Sequence, residues 1–240
     1  MSRPASNRAS VPEGRRLLTR LVLRIVPAQL IMIAVLFLSA GTLEFWPGWA
    51  YIGLFLASTV FHVVYLQRLD PQLLERRLLN REKIGRQKTI MRLMKLVFGL
   101  ILVLCGLDHR FGWSRSFWGP VPWWLMLVSL ALIAGCQHVF LRVLVANRFA
   151  ASIIQVEAGQ TIADTGPYRW VRHPMYSAGI VQSLCTPAAL GSLVVLPAGM
   201  LVIAILVCRL LNEENVLRRD LPGYAGYCQR TRYRLIPYIW

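Results

Sequence analysis

At 240 residues, 56% of them hydrophobic and 16% charged, the chain is more apolar than a soluble domain of its length. The excess is gathered in long uncharged runs, as a bilayer core of roughly 30 Å demands of spanning helices, and no polar stretch is long enough for a second folded domain. A net charge of +16 would point a soluble protein toward nucleic acid. Here the arginines sit between apolar runs, where they set orientation and meet anionic membrane lipids, so nucleic acid is not expected as a partner.

Residues 1–20 form a basic tail with Arg3, Arg8, Arg15, Arg16 and Arg20 and no small-residue cleavage site, which reads as retained and cytoplasmic. Apolar runs follow at about 21–43, 47–66, 93–107 and 121–145, giving a four-helix transmembrane region over 21–146. Between the second and third runs, after Asp70 and Pro71 and with Glu75, lies a basic amphipathic connection (73–94). It is expected on the membrane surface, in a position to cover a pocket. Residues 175–207 are apolar for too long to be one helix and too briefly for two full ones. With Pro187, Gly191, Pro197 and Gly199 inside, they read as a short hairpin that breaks between Pro187 and Ser192.

The fold class is therefore all-α: a polytopic membrane protein of about six transmembrane helices, the last two a short hairpin. Arginine and lysine crowd the tail, the second and fourth connections and the C-terminus, whereas the first connection and the hairpin tip carry none. Both termini are accordingly expected on the cytoplasmic side of an inner, cytoplasmic-type membrane. Trp46, Trp49, Trp113, Trp118, Trp123 and Trp124 would form an aromatic belt at the other interface.

Four of the five cysteines (Cys105, Cys136, Cys185 and Cys208) fall inside apolar runs and read as free packed thiols, while Cys228 lies in the tail. His62 and His138 have no Cys, Asp or Glu at ligand spacing, so no metal is expected. His109, beside Asp108 at a helix end, reads as solvated.

Most of the remaining polar chemistry lies between 157 and 237. Gly166, Pro167 and Tyr168 mark a turn, and Arg172, His173, Pro174, Met175 and Tyr176 open the hairpin. Proline suits a first helical turn, and a helix start flanked by Arg169 and Arg172 favours a carboxylate. A hairpin returns to the face it left, so Glu213 and Glu214 are expected beside His173 and Tyr176. Such a site suits a zwitterionic ligand with an amino-acid end. The same residues also read as interfacial anchors, with Glu213 paired to Arg209 and Glu214 to Arg218 at i,i+4. Residue type alone leaves both readings open.

The pattern of Gly166-Pro167-Tyr168, Arg172-His173-Pro174-Met175-Tyr176, Glu213-Glu214, Tyr224, Tyr227 and Arg234-Leu235-Ile236-Pro237 resembles the isoprenylcysteine carboxyl methyltransferase family and the related phospholipid methyltransferases. The resemblance covers about residues 147–240, which become the cofactor-binding catalytic region. It implies S-adenosylmethionine as cofactor and a lipophilic or lipidated acceptor, either an isoprenylated cysteine's carboxylate or a lipid head group. By position it implies Tyr168, His173, Pro174, Tyr176, Glu213, Glu214 and Tyr227 as cofactor-binding residues, and Arg172 and Arg234 as catalytic ones. The tail also resembles that of the membrane sterol reductases, which use NADPH, although their asparagine after the proline is Met175 here. A non-enzymatic scaffold is the third class, and it leaves the two glutamates unexplained.

Overall fold

The computed structural model describes residues 11–71, 73–75, 85–147 and 160–240. Positions 1–10 of the expected tail, the basic stretch 76–84 and the segment 148–159 lie outside the described residues. Among the described residues the α-helices are, in order, α1 Val11–Ala40, α2 Trp46–Leu69, α3 Gly85–Phe111, α4 Trp113–Trp118, α5 Trp123–Ala146, α6 Pro174–Ala189, α7 Leu196–Asp220 and α8 Tyr224–Arg230. Short 3-10 turns precede α6 (Gly166–Arg169) and α7 (Leu193–Val195), and no strand occurs among the described residues.

Among the described residues, five segments are long and apolar enough to cross a membrane: Leu21–Ala40, Trp46–Leu69, Gln87–Phe111, Trp123–Ala146 and Leu193–Asp220. The expected sixth would be the first arm of the hairpin, which differs from the expectation in that its two helices are not both short. Its first arm, α6, has 16 residues and reaches about 24 Å at 1.5 Å per residue. Its second arm, α7, has 25 residues and continues unbroken through Arg209, Asn212, Glu213 and Glu214. Hydropathy marks the end of the apolar run; the helix goes on because its polar side chains find partners. The third run likewise belongs to a longer helix, since α3 starts at Gly85 and carries the end of the basic connection straight into the span.

The break at the hairpin tip comes where proline and glycine place it. Gly191 adopts φ +71°, which glycine takes without a Cβ penalty, and a Cβ there would lie 2.8 Å from Met126 Cε. Ser192 N–H donates to the Pro187 carbonyl at 2.8 Å and closes the turn. The tip is tied to the end of α3 by Asp108, which is buried. It accepts from Ser114 N–H (2.7 Å), Ser114 Oγ (2.6 Å) and Ser192 Oγ, while Val194 N–H donates to Ser114 Oγ (3.1 Å). His109 is exposed on one side yet stacks on Phe45, ring centroids 4.1 Å apart, so it is not simply solvated. The six tryptophans stand at this same end, in the first turns of α2 and α5 and in α4.

Helices α1 and α3 approach most closely at Gly106, where a Cβ would fall 2.0 Å from Ser39 Oγ and 2.7 Å from the Leu36 carbonyl. Leu36, Phe37, Val97, Ile101 and Cys105 fill the core around them. Helices α5 and α6 form the most extensive helix–helix contact of the fold. Gln137 Nε2 donates to Gln182 Oε1 across that seam at 2.9 Å, a bond that matters where no water competes.

Candidate active site

At the end of the bundle opposite Asp108, the start of α6 meets the last turns of α7. Successive side chains on a helix diverge by about 100°, so the adjacent Glu213 and Glu214 face different surroundings. Glu213 Oε2 accepts from Tyr176 Oη at 2.5 Å, and Tyr176 Oη in turn accepts from Arg209 Nε at 3.1 Å. Glu214 points the other way and is 3% exposed. Arg172 Nε donates to its Oε1 at 2.8 Å and Arg234 Nε to its Oε2 at 2.9 Å; His173 Nε2 lies 3.3 Å from Oε1 and Arg218 3.6 Å from Oε2. The i,i+4 pair with Arg218 exists, but it is the longest of four contacts.

Those contacts fasten the tail. Arg172 Nη1 also donates to the carbonyls of Thr231 (3.0 Å) and Arg232 (2.8 Å), so its Nε and Nη1 are both engaged by the protein. The Arg172 and His173 amides donate to the Tyr233 and Arg234 carbonyls, and Ser177 Oγ donates to the Leu235 carbonyl at 2.6 Å. Within α6 itself, Pro174 has no N–H, and the Tyr176 and Ser177 amides close on the His173 carbonyl. Little of the anion-holding capacity expected of this helix start is left over.

A cavity of about 570 Å³ opens beside this cluster, within the range of roughly 300–1,000 Å³ usual for small-molecule sites. Of the site residues read from sequence, Tyr168, Arg172, His173, Pro174, Tyr176, Glu213 and Tyr227 line it. Glu214 and Arg234 are not among the lining residues. Both sit behind the wall, bonded to each other, and a direct contact with a ligand in the cavity is not open to them as placed. Tyr227 is held by donating to the Tyr168 carbonyl at 2.9 Å, and Tyr168 Oη accepts from Asn147 Nδ2 at 3.3 Å.

The lining also contains residues that the sequence reading did not name as site residues; one of them, Tyr224, entered only as part of the pattern. Tyr224, three residues before Tyr227 and so on the same face of α8, is buried against the cavity, and its Oη has no hydrogen-bond partner among the described residues. Burial pushes both phenols well above the usual tyrosine range, helped at Tyr224 by the charge of Glu214. The rim loop at Gln160–Ala163 was within reach of the sequence, and Met91 and Met94 fall in the connection expected to be able to cover a pocket; Phe55 on α2, Lys95 and Phe98 on α3, and Phe140 on α5 were not singled out. They approach from helices far away in the chain, and no local pattern shows which way they face. The wall changes character along α7, from Val202 and Leu206, with Phe55, Met94, Phe98 and Phe140 on other helices, to Arg209 and Glu213, with His173 and the tyrosines; Lys95 stands on α3 between Met94 and Phe98.

Residues 126–219 match the model of the isoprenylcysteine carboxyl methyltransferase family. The match starts in α5 and runs through the turn, α6 and the hairpin tip to the end of α7, so it includes His173, Tyr176, Glu213 and Glu214. It stops short of Tyr224, Tyr227 and Arg234, which the resemblance read from sequence had included. No curated protein matches the chain.

Proposed function

We propose that this chain, which carries that family's segment on a set of membrane-spanning helices, uses S-adenosylmethionine to methylate an acceptor with a long apolar chain. The observation that carries the reading is the change of character along the cavity wall, from aromatic and aliphatic groups to charged and phenolic ones. The donor set fits the cofactor: Glu213 offers a carboxylate to an ammonium, and Tyr224 Oη is a buried hydroxyl in want of a partner. When bound, the cofactor supplies a methyl group on a sulfonium, open to in-line displacement.

What the chain contributes is placement and dryness rather than a covalent intermediate. Tyr176 and Arg209 hold the Glu213 carboxylate in one orientation. Glu214 acts from behind the wall as a positioning residue, fixing Arg172 and His173 on the cavity side and Arg234 on the tail side. A carboxylate acceptor needs no general base.

The small residues Ala134, Gly135, Ala178 and Gly179 lie on α5 and α6, where a gap for the acceptor could be sought. That seam, α5 against α6, is the best-packed in the fold and is bridged by Gln137 and Gln182. Helices α2 and α3 both supply lining residues without packing extensively on each other among the described residues. An acceptor chain arriving from the bilayer passes more easily there.

Calorimetric titration with S-adenosylhomocysteine and, separately, NADPH tests the cofactor. The first is expected to bind and the second not; the reverse result would identify a reductase of the sterol-reductase kind. Glu213→Gln should weaken S-adenosylhomocysteine by about 1.5–3 kcal/mol, the worth of a charge-assisted hydrogen bond. Glu75→Gln, outside the lining, should not. Normal binding by a folded Glu213→Gln protein would sink the assignment.

A further inference from the structure

Three cations line the cavity: Arg172, Arg209 and Lys95. Two are engaged by the protein, Arg172 by Glu214 and two carbonyls, Arg209 by Tyr176. Lys95 stands on α3, eight residues into the Gln87–Phe111 span, or about 12 Å along it at 1.5 Å per residue. No carboxylate lies within ion-pair distance of it, and no hydrogen bond is made by its ammonium, among the described residues. An ionisable side chain inside a membrane-spanning segment is costly to keep and is ordinarily paired, solvated or used. Its neighbours on the same helix face of the cavity are Met91, Met94 and Phe98, all apolar. Lys95 is itself exposed, and an accessible cation beside apolar side chains at a cavity wall is the complement of an amphiphile with an anionic head.

We infer that Lys95 reads the head group of the amphiphile that enters the cavity and selects an anionic one, such as a carboxylate. The inference rests on the reading of the cavity as the site of a lipophilic acceptor and adds to it a specificity-determining residue. Lys95 lies outside residues 126–219, so the family match assigns it nothing. An incoming anion gives the ammonium the counter-ion that no described residue gives it, and in a medium of low dielectric that pairing outweighs its value in water. An amide or ester of the same chain length offers the apolar contact without the charge. Glu213, Arg209 and Arg172 are tied to protein groups at the polar end, which leaves Lys95 as the lining cation on α3.

The test uses the full chain in nanodiscs of phosphatidylcholine alone, with N-dodecanoylglycine and its neutral amide displacing a neutral dansyl-dodecylamide probe. The wild-type protein should bind the carboxylate about tenfold more tightly than the amide, the scale of one charge-assisted hydrogen bond. Lys95→Gln should bring that ratio close to one while leaving the amide's affinity unchanged, and Lys95→Arg should keep it. A wild-type ratio of one, or a full ratio retained in Lys95→Gln, overturns the inference and leaves Lys95 as a lysine that snorkels to the head groups. Repeating the displacement with phosphatidylglycerol in the disc separates two sources of the same head-group chemistry. Loss of the preference means a resident anionic lipid holds the site, and an unchanged preference means the acceptor does. S-adenosylhomocysteine calorimetry on the same samples keeps the outcomes apart: no binding there removes the methyltransferase reading while the Lys95 ratio still stands or falls by itself.

Discussion

The two ends of the bundle each bury one carboxylate, to 3% exposure in both cases, and satisfy it by opposite means. Asp108 is surrounded by neutral donors, one amide and two hydroxyls, supplied by α4 and the hairpin tip. Glu214 is surrounded by Arg172, Arg234, His173 and Arg218. Neutral donors close a turn and leave nothing charged behind if the carboxylate goes. Cationic partners bring their own charge into the protein, so each depends on the carboxylate as much as it depends on them. The first arrangement staples loops together. The second frames a cavity, because two of its cationic-capable members, Arg172 and His173, also line that cavity.

The largest effect should come from Glu214→Ala. It strands a buried guanidinium and releases the tail from α6, and breaking a buried pair on one side costs about 3–5 kcal/mol. Thermal unfolding followed by circular dichroism in detergent measures it. S-adenosylhomocysteine affinity should fall as well, although Glu214 lies behind the wall, because the Arg172 and His173 side chains lose their anchor. A mutant that unfolds earlier yet binds normally would show that the cavity does not need the knot.

Asp108→Asn should be milder, about 1–2 kcal/mol. The asparagine carbonyl can still accept from the Ser114 amide, and the Ser114 and Ser192 hydroxyls can rotate to accept from its amide group. Ligand affinity should be unchanged, since this end does not border the cavity. If Asp108→Asn proves as damaging as Glu214→Ala, the contrast between neutral and cationic partners is wrong.

The sequence conveys these two ends unequally. Arg172, His173 and the two glutamates stand out as charges at the edges of apolar runs, and the hairpin topology alone brings them together. The division of labour between Glu213 and Glu214 is not visible there, because it depends on the rotation of α7 about its own axis. The two-short-helix reading of the hairpin failed for a related reason: Arg209 to Glu214 look like a helix end until their partners on α6 and the tail are known. Asp108 gave only a weak signal, a lone acid at a helix end, and its partners Ser114 and Ser192 come from two separate segments. Phe98 is silent in sequence, since a span's inward face is no more apolar than its lipid face, whereas Lys95 stands out as a charge inside an apolar run without showing which way it faces.

The smallest effect, and the one that separates stability from binding, is expected at Tyr224→Phe. The Tyr224 hydroxyl is buried without a partner among the described residues, so its removal should leave the fold unchanged or make it more stable by up to about 1 kcal/mol. If that hydroxyl serves a ligand in the cavity, S-adenosylhomocysteine should bind the phenylalanine variant less tightly by about 0.5–1.5 kcal/mol. The two changes run in opposite directions, which a general disturbance of α8 cannot produce. The pH dependence follows from the upward shift of this phenol by burial. In the unfolded chain a tyrosine ionises near pH 10, whereas in the fold Tyr224 keeps its proton to higher pH. Its contribution to stability is therefore intact below about pH 10 and is lost progressively above it. Wild type should lose more stability than Tyr224→Phe between pH 8 and pH 10.5, with Tyr227 supplying the loss that remains in the variant. Equal losses in both proteins, or a variant that binds S-adenosylhomocysteine as well as the wild type, would remove Tyr224 from the site and leave its hydroxyl a local flaw in the packing of α8.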